Sequence, residues 1–304
     1  MTSPPHIFDR PLRRLRLERA AKRGDGADFL RGRAADDLAE RLEAINRHFD
    51  LAVDLGSQDG AFARALSASE ARGKIGQLIQ AAGAVGVVTK PSGLTLVADE
   101  ERLPFAEGAL DLVVSLLCLH WVNDLVGALI QIRRALRPDG LFLGALLGGA
   151  TLTELRQSLM AAEIEISGGA GPRVSPFVDG ADGAALLQRA GFALPVADID
   201  TIRVLYETPL GLLADLRAMG ETSALVDRPR TPLTQRLLTR ALEIYHERHA
   251  AADGRIIATF EILTLTGWAP HPDQQKPLRP GSAKARLADA LESRERPAGD
   301  RPRP

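Results

Sequence analysis

Residues 110–117 form an apolar run, Leu110 to Leu117, interrupted only by Asp111 and Ser115 and without strict alternation of inward and outward side chains. A strand of this kind is buried on both faces, which is the condition of a strand inside a parallel sheet covered by helices on each side. Its surroundings agree. Leu51 to Leu55 is a short apolar strand, Leu94 to Ala98 another, and Leu141 to Leu147 a further one. Between them the periodicity predicts helices over 58–68, 70–82 and 122–136, with Val85 to Val88 as the second strand. The turn after the third of these helices falls at Arg137-Pro138-Asp139-Gly140. Strands and helices alternating through short loops predict an α/β, Rossmann-like, doubly wound and mostly parallel sheet.

Past Gly149 the texture changes. A helix is expected over 151–166, capped by Thr151 or Thr153, then a Gly-, Pro- and Ser-rich loop over 167–180. Helices at 183–190, 209–219 and 232–250 and strands at 196–206 and 256–266 follow, with Gly191 as a C-cap. Upstream, residues 34–48 are helical in pattern. Three regions are expected: a basic helical segment over 1–48, the α/β domain with its helical insertion over 49–268, and a Pro- and Arg-rich tail over 269–304, disordered after about 291.

A formal net charge of -1 gives no overall electrostatic footprint for nucleic acid. A single cysteine excludes an internal disulfide framework and a cysteine-based metal site, and Cys118 in its apolar run reads as a small buried hydrophobe. No run of apolar residues is long enough to span a membrane. A cytoplasmic location is expected, with peripheral contact at the inner face of the membrane as an extension of it. Arg10, Arg13, Arg14, Arg16, Arg19, Lys22 and Arg23 stand against one Glu18 over 10–23. The preferred reading is a helix with a solvated face that lids the domain; the alternative is contact with an acidic partner or a membrane surface.

Ligands in such sheets sit at the carboxyl ends of the strands. The first exit loop carries Asp54, Gly56, Ser57 and Gly60, close to the acidic-x-Gly-x-Gly-x-Gly loop of S-adenosylmethionine (SAM) enzymes. Gln58 stands where the middle glycine would let backbone approach a cofactor. After the expected second strand come Thr89 and Lys90, with no acid for ribose hydroxyls. Asp99 and Glu100 suit the acidic loop that holds an adenine amino group, or else a solvated turn. His120 and Trp121 follow the fourth strand near the expected reaction centre and are the candidates for catalysis; core packing is the other reading, with Asn123 or Asp124 capping the next helix. Glu243, His246 and His249 share a helical face but lack partner carboxylates, so no metal site is assigned.

Several segments together resemble one family. They include Ile7 to Arg10, Ala98 to Phe105, Leu119 to Leu125, Pro138 to Gly140 and Gly148 to Arg156. Ser175 to Phe177, Arg217 to Gly220, Gly267-Trp268 and Gly281 to Ala283 complete the set, so the resemblance covers roughly residues 6–283. The chain resembles the methyltransferase-like assembly factors of respiratory complex I, the protein arginine hydroxylases, in a form similar to the alphaproteobacterial one. It is more distantly similar to the malonyl-carrier-protein O-methyltransferases of biotin synthesis. The resemblance implies a class I SAM-methyltransferase-type fold, SAM as cofactor, and modification of an arginine in the iron–sulfur-cluster-bearing subunit of complex I. It departs at Ser57-Gln58-Asp59 and at the missing ribose acid. Two further functions stay open: an ordinary SAM-dependent methyltransferase acting on a small-molecule or carrier-protein carboxylate, and a non-catalytic assembly chaperone with a degenerate SAM loop.

Overall fold

The computed structural model describes residues 6–24, 27–85, 87, 93–230 and 233–274. One compact unit ends at Pro270 and a second runs from His271. The expectations for Val88, Thr89, Lys90 and the tail beyond residue 274 lie outside the described residues.

Seven strands form one sheet: β1 (Phe49–Leu55), β2 (Ile75–Ala82), β3 (Leu94–Val97), β4 (Leu110–Leu116), β5 (Leu136–Leu147), β6 (Ala193–Tyr206) and β7 (Ile256–Trp268). Their spatial order is β3-β2-β1-β4-β5-β7-β6. The first five pair in parallel, while β7 runs antiparallel to both β5 and β6. The chain direction across the sheet reverses between β1 and β4, so the carboxyl ends of those two strands open the crevice where ligands bind in such folds. β4 and β5 are buried nearly throughout, as their continuous apolar runs require. β6 is one edge and β3 the other, and the residues of β6 mostly alternate between half-buried and exposed.

The helices are α1 (Arg10–Arg23), α2 (Phe29–Ala44), α3 (Ala61–Ala68), α4 (Leu125–Ala135), α5 (Thr153–Ser167), α6 (Gly183–Arg189), α7 (Pro209–Ala218) and α8 (Gln235–His249). On one face of the sheet α2, α3, α5 and α8 bury Leu38, Leu42, Phe62 and Tyr245 against Leu112, Val114 and Phe260. On the other, α4 and α6 bury Leu129, Ile132 and Leu187 against Val53, Val113 and Phe142.

Four sequence expectations change. Residues 70–82 are a 3₁₀ turn, Glu70–Lys74, followed by β2 rather than a helix. Val85 is a highly exposed turn residue instead of the start of a strand. β2 has parallel partners on both sides, β1 and β3, and these ladder bonds override the helical leanings of its Gln and Ala residues. Residues 137–140 continue β5, with Asp139 at φ 66°. The N-cap of α5 is Leu152 in a left-handed conformation, not a threonine. Thr151 is used elsewhere: its hydroxyl accepts from the Glu261 N–H at 3.0 Å and pins the start of α5 to β7.

Candidate functional site

The cofactor-type loop begins at the end of β1. Gly56 has φ 79°, and a Cβ built on it would lie 2.3 Å from Cys118 Sγ, so glycine is required here by both backbone and neighbour. Gly60, at φ 72°, starts α3. Gln58 is not among the residues with positive φ, and its side chain accepts from Arg31 of α2 at 2.6 Å. The backbone therefore does not demand a glycine at 58, which removes one reason for thinking the loop damaged. Asp54 is buried; Ser57 gives it a hydrogen bond, yet Oδ1 has no partner. Burial pushes its carboxyl up to about 6.

β2 ends at Ala82-Gly83-Ala84, which again offers no acid for a ribose. Glu100 from the loop after β3 lies beside this strand end: its Oε1 is 3.3 Å from the position of a Cβ on Gly83. Asp99 and Glu100 are not a solvated turn. Arg10 of α1 binds both, at 2.8 Å to Asp99 and in closer contact with Glu100, and Arg14 binds Asp99. The Glu101 N–H, which donates to Asp99 at 3.0 Å, and the arginines beside it hold the Asp99 carboxyl below the usual range despite burial. The basic run thus turns part of its charge inward, against an acidic surface supplied by the chain itself, and the solvated-face reading fails for Arg10 and Arg13, while Arg14 pairs with Asp99 and stays partly exposed. The cleft bounded by Gly56, Ser57, Glu100 and Cys118 keeps only about 20 Å³ with α1 in place. Cys118 is buried, its Sγ 3.3 Å from the Leu55 carbonyl, and burial pushes its thiol far up, as expected for a packing residue.

The end of β4 supplies the second half of the site. Leu117, at φ 48°, turns the chain into a single 3₁₀ turn over Leu119–Trp121. His120 and Trp121 are buried there and converge on Glu221, in the loop after α7. Trp121 Nε1 donates to both carboxylate oxygens, at 3.2 and 3.0 Å. Leu147 N–H reaches His120 Nδ1 at 3.4 Å, which leaves Nε2 to donate to Glu221 at 3.2 Å. Arg13 of α1 completes the cluster: it binds Glu221 at 2.8 Å, donates to the Gly220 carbonyl and lies 4.2 Å over the Trp121 ring. These donors hold the Glu221 carboxyl down at about 2 against its burial. Asp124 caps α4 by accepting from Gly127 N–H at 2.8 Å, whereas Asn123 accepts from the N–H groups of Ile7 and Phe8 and anchors the N-terminal segment.

A cavity of about 370 Å³ adjoins this cluster, lined by Trp121, Glu221, Leu152, Leu155, Phe177 and Leu216, with Arg16, Arg173, Arg217, Arg228 and Arg230 also on its wall. The segments 172–177 and 221–230 form much of that wall. Arg156 ties the first of them to the end of β5 by donating to the carbonyls of Thr151 and Ser175. His120 sits behind Glu221 rather than in the cavity lining. Sequence reasoning missed Glu221; its place beside Gly220 was the signal available. Among the described residues no group of His, Cys, Asp and Glu could hold a metal ion. Glu243 pairs with Arg240, and the His249 ring packs on Tyr245.

Residues 53–144 match the methyltransferase domain family. The chain is 39% identical over 287 residues to the mitochondrial arginine-hydroxylase NDUFAF5 of Danio rerio, covering 93% of this chain and 89% of that protein. The Homo sapiens protein of the same name is 41% identical, over 93% of this chain and 83% of its own length. A malonyl-[acyl-carrier protein] O-methyltransferase of Methylovorus sp. (strain MP688) is 30% identical, over 92% and 97%. The YcgJ protein of Bacillus subtilis shares the fold, with a TM-score of 0.53 at 12% identity over 77% of this chain and 98% of its own. The hydroxylase relatives also correct the expected cytoplasmic location, since they are mitochondrial proteins. Full-length identity at this level, on a methyltransferase-type sheet, makes the chain a methyltransferase-superfamily enzyme that belongs to the NDUFAF5 arginine-hydroxylase family.

Proposed function

We propose that this enzyme modifies an arginine of the iron–sulfur-cluster-bearing subunit of respiratory complex I while that complex is assembled. The observation that carries the reading is the near-full-length identity to arginine-hydroxylases. The Trp121–Glu221 corner supports it, because an aromatic face beside a buried carboxylate is suited to a guanidinium. The arginine would reach that corner through the cavity between segments 172–177 and 221–230, whose floor is apolar and whose wall also carries arginines.

The cofactor is SAM, whose sulfonium centre carries a transferable methyl group; an oxygen added to the arginine would have to come, with its two oxidising equivalents, from a separate oxidant of the dioxygen class. The residue types fit it: Asp54, Gly56, Ser57 and Gly60 on the first loop, and Asp99 with Glu100 on the third. His120 acts at one remove by orienting Glu221. The remaining volume does not fit while α1 is docked, since pockets for molecules of this size run to ~300 Å³ or more. With α1 displaced and Arg10 withdrawn from Asp99 and Glu100, those two acids together with Asp54, Gly56, Ser57 and Gly60 would hold the cofactor.

Mass spectrometry of the iron–sulfur subunit tests the reading. In a strain that has this enzyme, one arginine of the subunit carries an extra oxygen; in a deletion strain that oxygen is missing. A subunit that keeps the oxygen after deletion overturns the proposal. The O-methyltransferase relatives favour a second reading, methyl transfer to a carrier-bound carboxylate that the wall arginines would hold. Methyl transfer from labelled SAM to a malonyl carrier protein would support it.

A further inference from the structure

Arg13 is a basic side chain with almost no exposure, inserted from a surface helix into the centre of the proposed site. Its guanidinium has a ring beneath it, Trp121, a carboxylate at its edge, Glu221, and a backbone carbonyl, that of Gly220. That set meets each need of a guanidinium: a π face for its plane, an anion for its charge, an acceptor for a remaining N–H. As a strut for α1 the arrangement is expensive, because a buried ion pair seldom stabilises more than apolar residues of the same volume. Its position is also distinctive. Trp121 borders both the cleft beneath α1 and the larger cavity, while Glu221 borders that cavity. A side chain arriving through the cavity would meet the carboxylate that Arg13 now holds.

We propose that Trp121, Glu221 and the Gly220 carbonyl form a guanidinium-binding cage, filled by Arg13 in the resting enzyme and taken over by a substrate arginine when α1 withdraws. The inference rests on the reading that the enzyme acts on a protein arginine. α1 is then an internal competitor for both ligands: Arg13 holds the place of the substrate and Arg10 engages the cofactor's acids. One movement of α1 frees both, so cofactor and substrate bind with positive coupling.

The test uses the full chain carrying Trp268→Phe, so that Trp121 is its only tryptophan, and follows its fluorescence during titration. The probes are ethylguanidinium, a blocked glycine–arginine–glycine peptide and the corresponding lysine peptide. Arg13→Ala is expected to bind ethylguanidinium and the arginine peptide roughly tenfold more tightly than the parent, with the lysine peptide far weaker. The arginine peptide should displace ethylguanidinium, and Glu221→Gln should abolish both interactions. If Arg13→Ala does not fold, Arg13→Lys keeps the stem and charge but loses the planar fork, and the same rise is expected in smaller measure. A folded Arg13 variant that binds no more tightly than the parent overturns the cage. So does an ethylguanidinium site from which the arginine peptide cannot compete, since Arg13 would then be a structural strut. Binding by the arginine peptide together with an unmodified subunit in cells would leave the cage standing and overturn the subunit reading instead.

Discussion

Glu221 and Asp54 are both buried carboxyls, and their surroundings push them in opposite directions. Glu221 falls from 4.5 to about 2, so its contribution to stability is complete above pH 4.5 and is lost as the pH drops toward 2. Glu221→Gln should lower stability at neutral pH by about 3 kcal/mol or less and flatten that acid slope, measured by urea melts from pH 2 to 7. Asp54 rises from 3.8 to about 6, so the folded state is favoured at low pH and loses stability as the pH climbs through 6. Asp54→Asn should raise the melting temperature at neutral pH, by up to about 3 kcal/mol in stability, and remove the slope between pH 4 and 6. Gly56→Ala meets the Cys118 side chain as well as a left-handed backbone. A loss of about 3 kcal/mol or more is expected in a thermal melt. The sequence already marked Asp54, Gly56, Asp99, Glu100, His120 and Trp121, because each sits at a strand end of a recognisable sheet. It did not mark Glu221 or the inward turn of Arg13, since their pairing joins positions 208 residues apart and no local pattern encodes it.

At the level of elements, β4 and β5 were legible because strands buried on both faces leave an unbroken apolar run. β2 was not. Gly76, Gln77, Gln80, Ala81 and Ala82 do not advertise a strand, whereas Val85, Val87 and Val88 between glycines do. The misplacement moved the search for a ribose acid to Thr89 and Lys90, when the strand end lies at Ala82 and the carboxylate beside it is Glu100. Helix α1 was legible as a helix but not in its orientation, because a run of arginines gives no sign of which face meets acids. Its apolar hold is slight, with Leu17 packed on Ala82, Ala84 and Val87 and Leu12 against the Phe8–Trp121 cluster. Leu17→Ala should cost about 2 kcal/mol locally and speed hydrogen exchange in α1 while leaving β4 and β5 protected. Arg10→Ala removes the contacts to Asp99 and Glu100. Calorimetry should then show SAM binding roughly tenfold more tightly than to the parent enzyme. Unchanged or weaker binding would mean that α1 does not compete with the cofactor.

Across the molecule, the two halves of the site come from distant parts of the chain. The sheet core brings the cofactor loop, Glu100 and Trp121 to the switch between β1 and β4. The region after β5 adds the cavity wall, and the segments Gly148 to Arg156 and Ser175 to Phe177 meet through Arg156. The N-terminal helix closes the assembly over both. Residues near a methyltransferase-type cleft that converge on a guanidinium, beside a cavity walled by these segments, support an enzyme whose substrate is an arginine side chain on another protein. The direct measurement is the fraction of the complex I iron–sulfur subunit whose arginine carries an added oxygen, in a deletion strain complemented with the parent enzyme or with Glu221→Gln. The parent should restore the modification in full, and Glu221→Gln, expressed at an equal level, should leave nearly all of the subunit unmodified. Equal modification with the two enzymes would contradict the site, and modification without either would contradict the function.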